Sequence, residues 1–333
     1  MNVFPVTDSA LSAAQLAVFV KNKYQLNAAV SARILKTGIN HSYLVSNEAD
    51  QFVLRVYSYQ WRTEKEIEAE IRLLNLLKAN GLPVSYPIQD ASGQTIQYLQ
   101  APEGLRYAVL FSFAKGIKML QFPAALHYKA GEIMAGIHRV TGNLSLDRVH
   151  YTPEVLLLES FEELKNFLPA QTEEMQYMLL LQKYLLNRLA NTDRGALRKG
   201  IVHLDIWFDN MSIDNDALTV FDFDFCGNGL LVFDIAYYIL QLYSTEKDEN
   251  EFNLKKAHFL KGYESVAAIS PEEMELIPAA AVSLYFFYLG VQCRRYDNWS
   301  NNFLNEIYLK RFINLLVKKW VNHHQMNLPS AAG

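Results

Sequence analysis

Between Ile201 and Ile239 the chain reads IVHLDIWFDNMSIDNDALTVFDFDFCGNGLLVFDIAYYI, and no other stretch constrains the fold as tightly. Apolar, β-branched and aromatic residues bounded by Asp, Asn and Gly predict two short buried strands, over 200–203 and 218–222, joined by a polar loop. His203, Asp205, Asn210, Asp222 and Asp224 fall at the ends of those strands, a dense group of acid/base and ligand-type side chains in otherwise apolar chain. Burying carboxylates unpaired is strongly disfavoured, so these groups are expected to share a cation or a charged substrate.

The order H-x-D-x-x-x-x-N, followed after the next strand by an aspartate that opens D-F-D, resembles the catalytic loop and metal-binding aspartate of the protein-kinase-like superfamily. Within it, the loop is most similar to the aminoglycoside phosphotransferase and choline- and homoserine-kinase-like families, whose usual form is H-G-D-x-x-x-x-N followed by I-D-F/W. Leu204 stands where those families carry glycine, and Trp207, Phe208 and Asp209 fill the rest of the loop. The resemblance implies Asp205 as the catalytic base, Asn210 and Asp222 as ligands of Mg²⁺, and Asp234 as the aspartate that opens the family's "D-hydrophobic-A" helix. It implies ATP and Mg²⁺ as cofactors, and transfer of the γ-phosphate to a hydroxyl of a small molecule: an amino alcohol, amino acid, aminoglycoside or sugar.

Upstream, residues 8–22 predict a short amphipathic helix with Asp8 and Ser9 as N-caps. Alternating segments over 30–36, 42–46 and 51–57 predict three antiparallel strands. Alone, Gly38 in the first turn reads as a hairpin glycine. The resemblance makes the G-x-N of Gly38 and Asn40 a phosphate-covering loop, in which backbone amides near glycine can approach phosphate oxygens closely.

Period two places Arg55 on one strand face with Val53 and Tyr57. The helix expected over 63–79 carries Ile67, Ile71, Leu74 and Leu77 as its apolar stripe, and Glu70 falls inside it. A carboxylate on a buried face wants a cation, which predicts a Glu70–Arg55 pair. The resemblance gives this pair the nucleotide phosphates. A hairpin over 94–100 and 105–113 follows, and by the same resemblance the main chain around Phe111 and Phe113 holds the adenine.

From Pro123 onward the pattern turns helical. His138 is expected as a core histidine hydrogen-bonded to the catalytic loop. Asp234 either caps its own helix or orients that loop. Tyr285–Tyr288 read mainly as core at helical spacing, while Arg294, Arg295 and Asp297 are candidates for an acceptor pocket.

The expected architecture is α+β: a two-lobed protein-kinase-like fold with a small antiparallel-sheet N-lobe over 1–113, a larger and mostly helical C-lobe over 114–327, and a disordered tail over 328–333. The 333 residues are half hydrophobic and a fifth charged, with a formal charge of −4, which gives no reason to expect nucleic acid as partner. The two cysteines, Cys226 and Cys293, cannot form a disulfide framework, and with no basic n-region at the N-terminus a cytoplasmic setting is expected. No apolar run is expected to reach the roughly twenty residues of a membrane span. A protein serine/threonine kinase would use the same residues, but no A-P-E-bounded activation segment follows D-F-D. A catalytically silent nucleotide-binding protein would keep the fold without turnover, and a metal-dependent phosphohydrolase could use His203 and the aspartates.

Overall fold

The computed structural model describes residues 4–27, 29–193, 195–298 and 301–329. Of the tail expected over 328–333, residues 330–333 lie outside them, as does Trp299 beside the 294–297 cluster. The chain separates into two compact units, residues 1–116 with 219–221, and residues 117–218 with 222–333.

The first unit opens on α1 (Ala13–Lys23), whose N-cap is Ser12. Asp8 and Ser9 do not cap it. The Ser9 hydroxyl donates to Glu103 at 2.7 Å, and the Ser9 carbonyl accepts from the buried Arg106 at 2.8 Å, so this segment is tied to the sheet. A five-stranded antiparallel sheet follows in the order β1 (Ser31–Thr37), β2 (His41–Ser46), β3 (Gln51–Val56), β5 (Gly104–Ser112), β4 (Ile96–Ala101). Alternation puts Tyr43, Val45, Leu54, Val56, Ala108 and Leu110 on one face, where Leu16 and Val20 of α1 complete the core. The opposite phase of β3 carries Arg55, which β2 and β5 flank through Ser42 and Val109. Helix α2 (Glu64–Ala79) starts at Thr63 with a full capping box to Glu66 and buries Ile67, Glu70, Ile71, Leu74 and Leu77.

The second unit is mostly helical: α3 (Ala124–Thr141), a π-turn over Glu154–Glu159 leading into α4 (Ser160–Lys165), α5 (Glu173–Asn191), α6 (Val232–Thr245), α7 (Glu249–Glu264), α8 (Pro271–Arg294), α9 (Glu306–Phe312) and α10 (Lys318–His323). A π-turn over Ile313–Val317 joins α9 to α10. Helix α8 is long and apolar enough to cross a membrane by length and composition, contrary to the expectation from sequence. In the fold 83% of its apolar window is buried, and it packs against α4 and α6 as a core helix.

Between α5 and α6 lie four short strands. The expected strands are present as β6 (Lys199–Val202) and β8 (Ala217–Val220), but they do not pair with each other. Strand β6 runs antiparallel to β9 (Gly227–Leu230), with Val202 opposite Gly227, and β8 pairs with β7 (Met211–Asp214). A Cβ on Gly227 would stand 2.7 Å from the Val149 carbonyl and the Tyr151 ring, so only glycine lets 149–151 run beside β9.

Candidate active site

The site grows out of the end of β6. His203 is buried and its ring packs on Phe223 at 4.3 Å. Its Nδ1 accepts the Asp205 backbone N–H at 3.1 Å, which folds the loop back over the ring. Between them Leu204 takes φ +63°, the left-handed region that a glycine enters freely and a leucine does not. Three contacts hold it there. The Leu204 N–H donates to Asp234 at 2.6 Å, its carbonyl accepts from the Tyr288 hydroxyl at 2.8 Å, and its side chain is fully buried.

Asp234 answers the alternatives left by its position in the sequence. Helix α6 begins at Val232 without a side-chain cap, and the Asp234 carboxylate instead takes the backbone N–H groups of His203 and Leu204. His138 does not reach the loop directly. Its Nε2 lies 3.0 Å from Asp234 and its Nδ1 2.7 Å from the Tyr263 hydroxyl, so it braces the aspartate that braces the loop.

Asp205 is half-buried. Asn210, at the end of the 3₁₀ turn Phe208–Asn210, donates its amide to the Asp205 carbonyl at 3.0 Å and to Oδ2 at 2.6 Å. The Tyr237 hydroxyl donates to Oδ1 at 2.6 Å. Burial, and then the neighbouring Asp205 carboxylate, hold the Tyr237 phenol well above its ordinary range, so it remains a donor. Neither Tyr237 nor Tyr288 stood out in the sequence as part of the loop, because each falls in an apolar helix at core spacing. Asp209 is salt-bridged to Lys118 at 2.8 Å.

Asp222 lies just beyond β8 at φ +66° and opens the 3₁₀ turn Phe223–Phe225. Asp224 is buried, with its carbonyl accepting from Arg148. Among the described residues no three His, Cys, Asp or Glu are grouped to hold a metal. The donor set of Asn210 and Asp222 nevertheless fits a hard cation. Both Asn210 hydrogen bonds are made by its amide nitrogen, so its Oδ1 and the Asp222 carboxylate are oxygen donors of the kind a hard cation takes.

In the first unit, Arg55 Nη1 meets Glu70 Oε1 at 2.8 Å and the Tyr57 hydroxyl meets Oε2 at 3.0 Å, so the buried carboxylate has a donor on each oxygen. The Arg55 guanidinium also lies 5.0 Å from the centre of the Phe111 ring. Phe113 follows the end of β5 and is partly buried. In the β1–β2 turn, the Gly38 N–H donates to the Asn40 carbonyl at 3.2 Å and Asn40 Oδ1 accepts the Ser58 N–H at 3.2 Å, so the Asn40 side chain ties the turn to the end of β3. Farther along, Tyr285 pairs its hydroxyl with Ser244 at 2.9 Å, Phe286 packs near Phe161, and Arg294 meets Glu163 at 3.2 Å.

Residues 32–269 match the model of the phosphotransferase enzyme family known as APH. A homoserine kinase of Sinorhizobium medicae is 28% identical over 79% of this chain and 79% of its own length. Among solved structures, a microcompartment-associated aminopropanol kinase superposes with TM-score 0.75 at 18% identity, over 95% of this chain and 99% of that one. An amicoumacin kinase in complex with AMP-PNP, Ca²⁺ and its ligand Ami superposes with TM-score 0.71 at 19% identity, over 86% and 88%. These likenesses establish a protein-kinase-like α+β fold, and the chain is a kinase-type enzyme that belongs to the phosphotransferase enzyme family.

Proposed function

We propose that this enzyme transfers the γ-phosphoryl group of ATP to a hydroxyl of a small amino alcohol or amino acid, with Mg²⁺ as the divalent ion. The observation that carries the reading is Asp205, a carboxylate held from both sides by Asn210 and Tyr237 on a loop anchored by Asp234. Phosphoryl transfer asks little covalent chemistry of a protein: it requires positioning, charge neutralisation and a group to take the acceptor's proton. Asp205 is that group. Its carboxylate orients the hydroxyl and accepts its proton as the bond to phosphorus forms and the bond to the leaving ADP breaks, a role expected to give about 10²–10⁴-fold.

Asn210 and Asp222 hold the cation, which neutralises charge on the phosphate oxygens. Arg55, fixed by Glu70, contacts nucleotide phosphates with its planar donor fork, the Gly38–Asn40 turn offers backbone N–H groups, and main chain at Phe111 and Phe113 binds adenine. The amicoumacin kinase with AMP-PNP and Ca²⁺ supports a nucleotide and a divalent cation. Names of related proteins support the acceptor class, since homoserine and aminopropanol each pair a hydroxyl with an amine.

The test is ADP release from MgATP with L-homoserine, 1-amino-2-propanol, ethanolamine, choline and spectinomycin. Acceptor-dependent release that is abolished in both Asp205→Ala and Asp222→Ala is expected. Labelled phosphate recovered in protein rather than in the small-molecule fraction would overturn the acceptor class.

A further inference from the structure

Two hydroxyls from helices remote in sequence close on the Leu204–Asp205 dipeptide. Tyr237 on α6 donates to the Asp205 carboxylate at 2.6 Å, and Tyr288 on α8 donates to the Leu204 carbonyl at 2.8 Å. Their ring centres are 5.3 Å apart, and Phe225 and Phe287 stand against the Tyr288 ring at 5.5 and 5.3 Å. Rings packed this way have few alternative rotamers, so the hydroxyls are fixed relative to each other.

The second observation is the backbone between them. Leu204 is left-handed at φ +63°, a conformation its Cβ disfavours. Asp234 pins the peptide N–H of Leu204 and Tyr288 pins its carbonyl, so the turn cannot relax toward an ordinary conformation without breaking both bonds. Any such relaxation would swing Asp205, the next residue, away from Tyr237 and Asn210.

We propose that Tyr237 and Tyr288 are positioning residues for phosphoryl transfer. Tyr288 holds the left-handed turn at a leucine, and Tyr237 holds the carboxylate that the turn delivers. The proposal rests on Asp205 acting as the base. It makes a specific claim about coupling: Tyr288 matters because residue 204 carries a Cβ, so a glycine there weakens the need for it.

Phenylalanine at either position keeps the ring packing and removes only the hydroxyl. With the acceptor that gives most ADP release in the panel above, Tyr237→Phe and Tyr288→Phe are each expected to lower kcat about 10- to 100-fold, the size of a lost hydrogen bond to a charged or strained group. The KM for MgATP stays within about twofold, because no ground-state nucleotide contact is removed. In the Leu204→Gly background the effect of Tyr288→Phe on kcat shrinks to less than about threefold, the non-additivity expected of residues acting as a unit.

Wild-type kcat in Tyr237→Phe, or an equal effect of Tyr288→Phe with Leu204 and with glycine, overturns the clamp. Asp205→Asn run alongside separates the two claims. If it is inactive, the base assignment stands and only the clamp falls; if it turns over like the wild type, both fall. A second readout needs no acceptor: urea unfolding of Tyr237→Phe in the wild-type and Asp205→Ala backgrounds. Unequal changes in the unfolding constant support the clamp, and equal changes contradict it.

Discussion

His138 and Asp234, on α3 and α6, meet at 3.0 Å in the core of the second unit, and through this contact a buried helix holds the loop that carries Asp205. Asp234 serves three donors at once: the His203 N–H, the Leu204 N–H and His138. Asp234→Ala leaves all three buried without an acceptor. We expect a loss of about 3–5 kcal/mol in urea unfolding, the cost of orphaning buried polar partners, and turnover reduced at least as strongly as in Tyr237→Phe. Asp234→Asn keeps one carbonyl oxygen and should lose less than the alanine variant.

Arg55 and Glu70 form the corresponding pair in the first unit, with Glu70 wholly buried. Arg55→Ala strands a buried carboxylate and is expected to cost about 3–5 kcal/mol, while Arg55→Met with Glu70→Leu, which removes both charges, should recover most of that. Both variants should raise the KM for MgATP. Denaturation and ATP saturation curves together separate the fold's need for the pair from the nucleotide's.

Leu204 makes an inverted ranking testable. Leu204→Ala and Leu204→Gly lose the same buried side chain, at about 2–5 kcal/mol. At φ +63° glycine has no Cβ to strain, so the glycine variant should be the more stable of the two by about 1 kcal/mol. In an ordinary strand or helix the order is the reverse. Urea midpoints of the two variants decide it.

His127 gives a pH dependence. Burial, reinforced by Lys255, pushes its imidazole down to about 3. An unfolded histidine titrates near 6.5, so between these values the unfolded chain binds the proton and the folded one does not. The contribution to stability is therefore complete above about pH 6.5 and is lost as pH falls from there toward 3, at up to about 1.4 kcal/mol per pH unit. His127→Gln should flatten the dependence over pH 4.5–6.5 without abolishing it, since His41 and His324 are also shifted down. Urea unfolding across that range reads the slope.

Much of this was legible because the informative residues are close in sequence or obey a short period. The loop places His203, Asp205 and Asn210 in one stretch, and periods of two and 3.6 aim Arg55 and Glu70 at each other, as found. Contacts that depend on topology were not legible. Strand β9 reads GNGL, without the β-branched residues that mark a strand, because Gly227 must admit the neighbouring segment. Tyr237 and Tyr288 look like core until α6 and α8 are folded beside the loop; the faint signal was a hydroxyl where phenylalanine would pack equally well. Helix α1 is capped by Ser12 rather than by Asp8 or Ser9, and Arg106, far along the chain, instead takes the Ser9 carbonyl.

The central claim is that Asp205 takes the acceptor's proton, and the most direct measurement is kcat for Asp205→Asn with the best acceptor of the panel. Asparagine keeps the shape and an acceptor oxygen for Tyr237 but cannot take a proton. The account predicts a kcat lower by about 10²–10⁴-fold with the KM for MgATP little changed. A kcat equal to that of the wild type would contradict it.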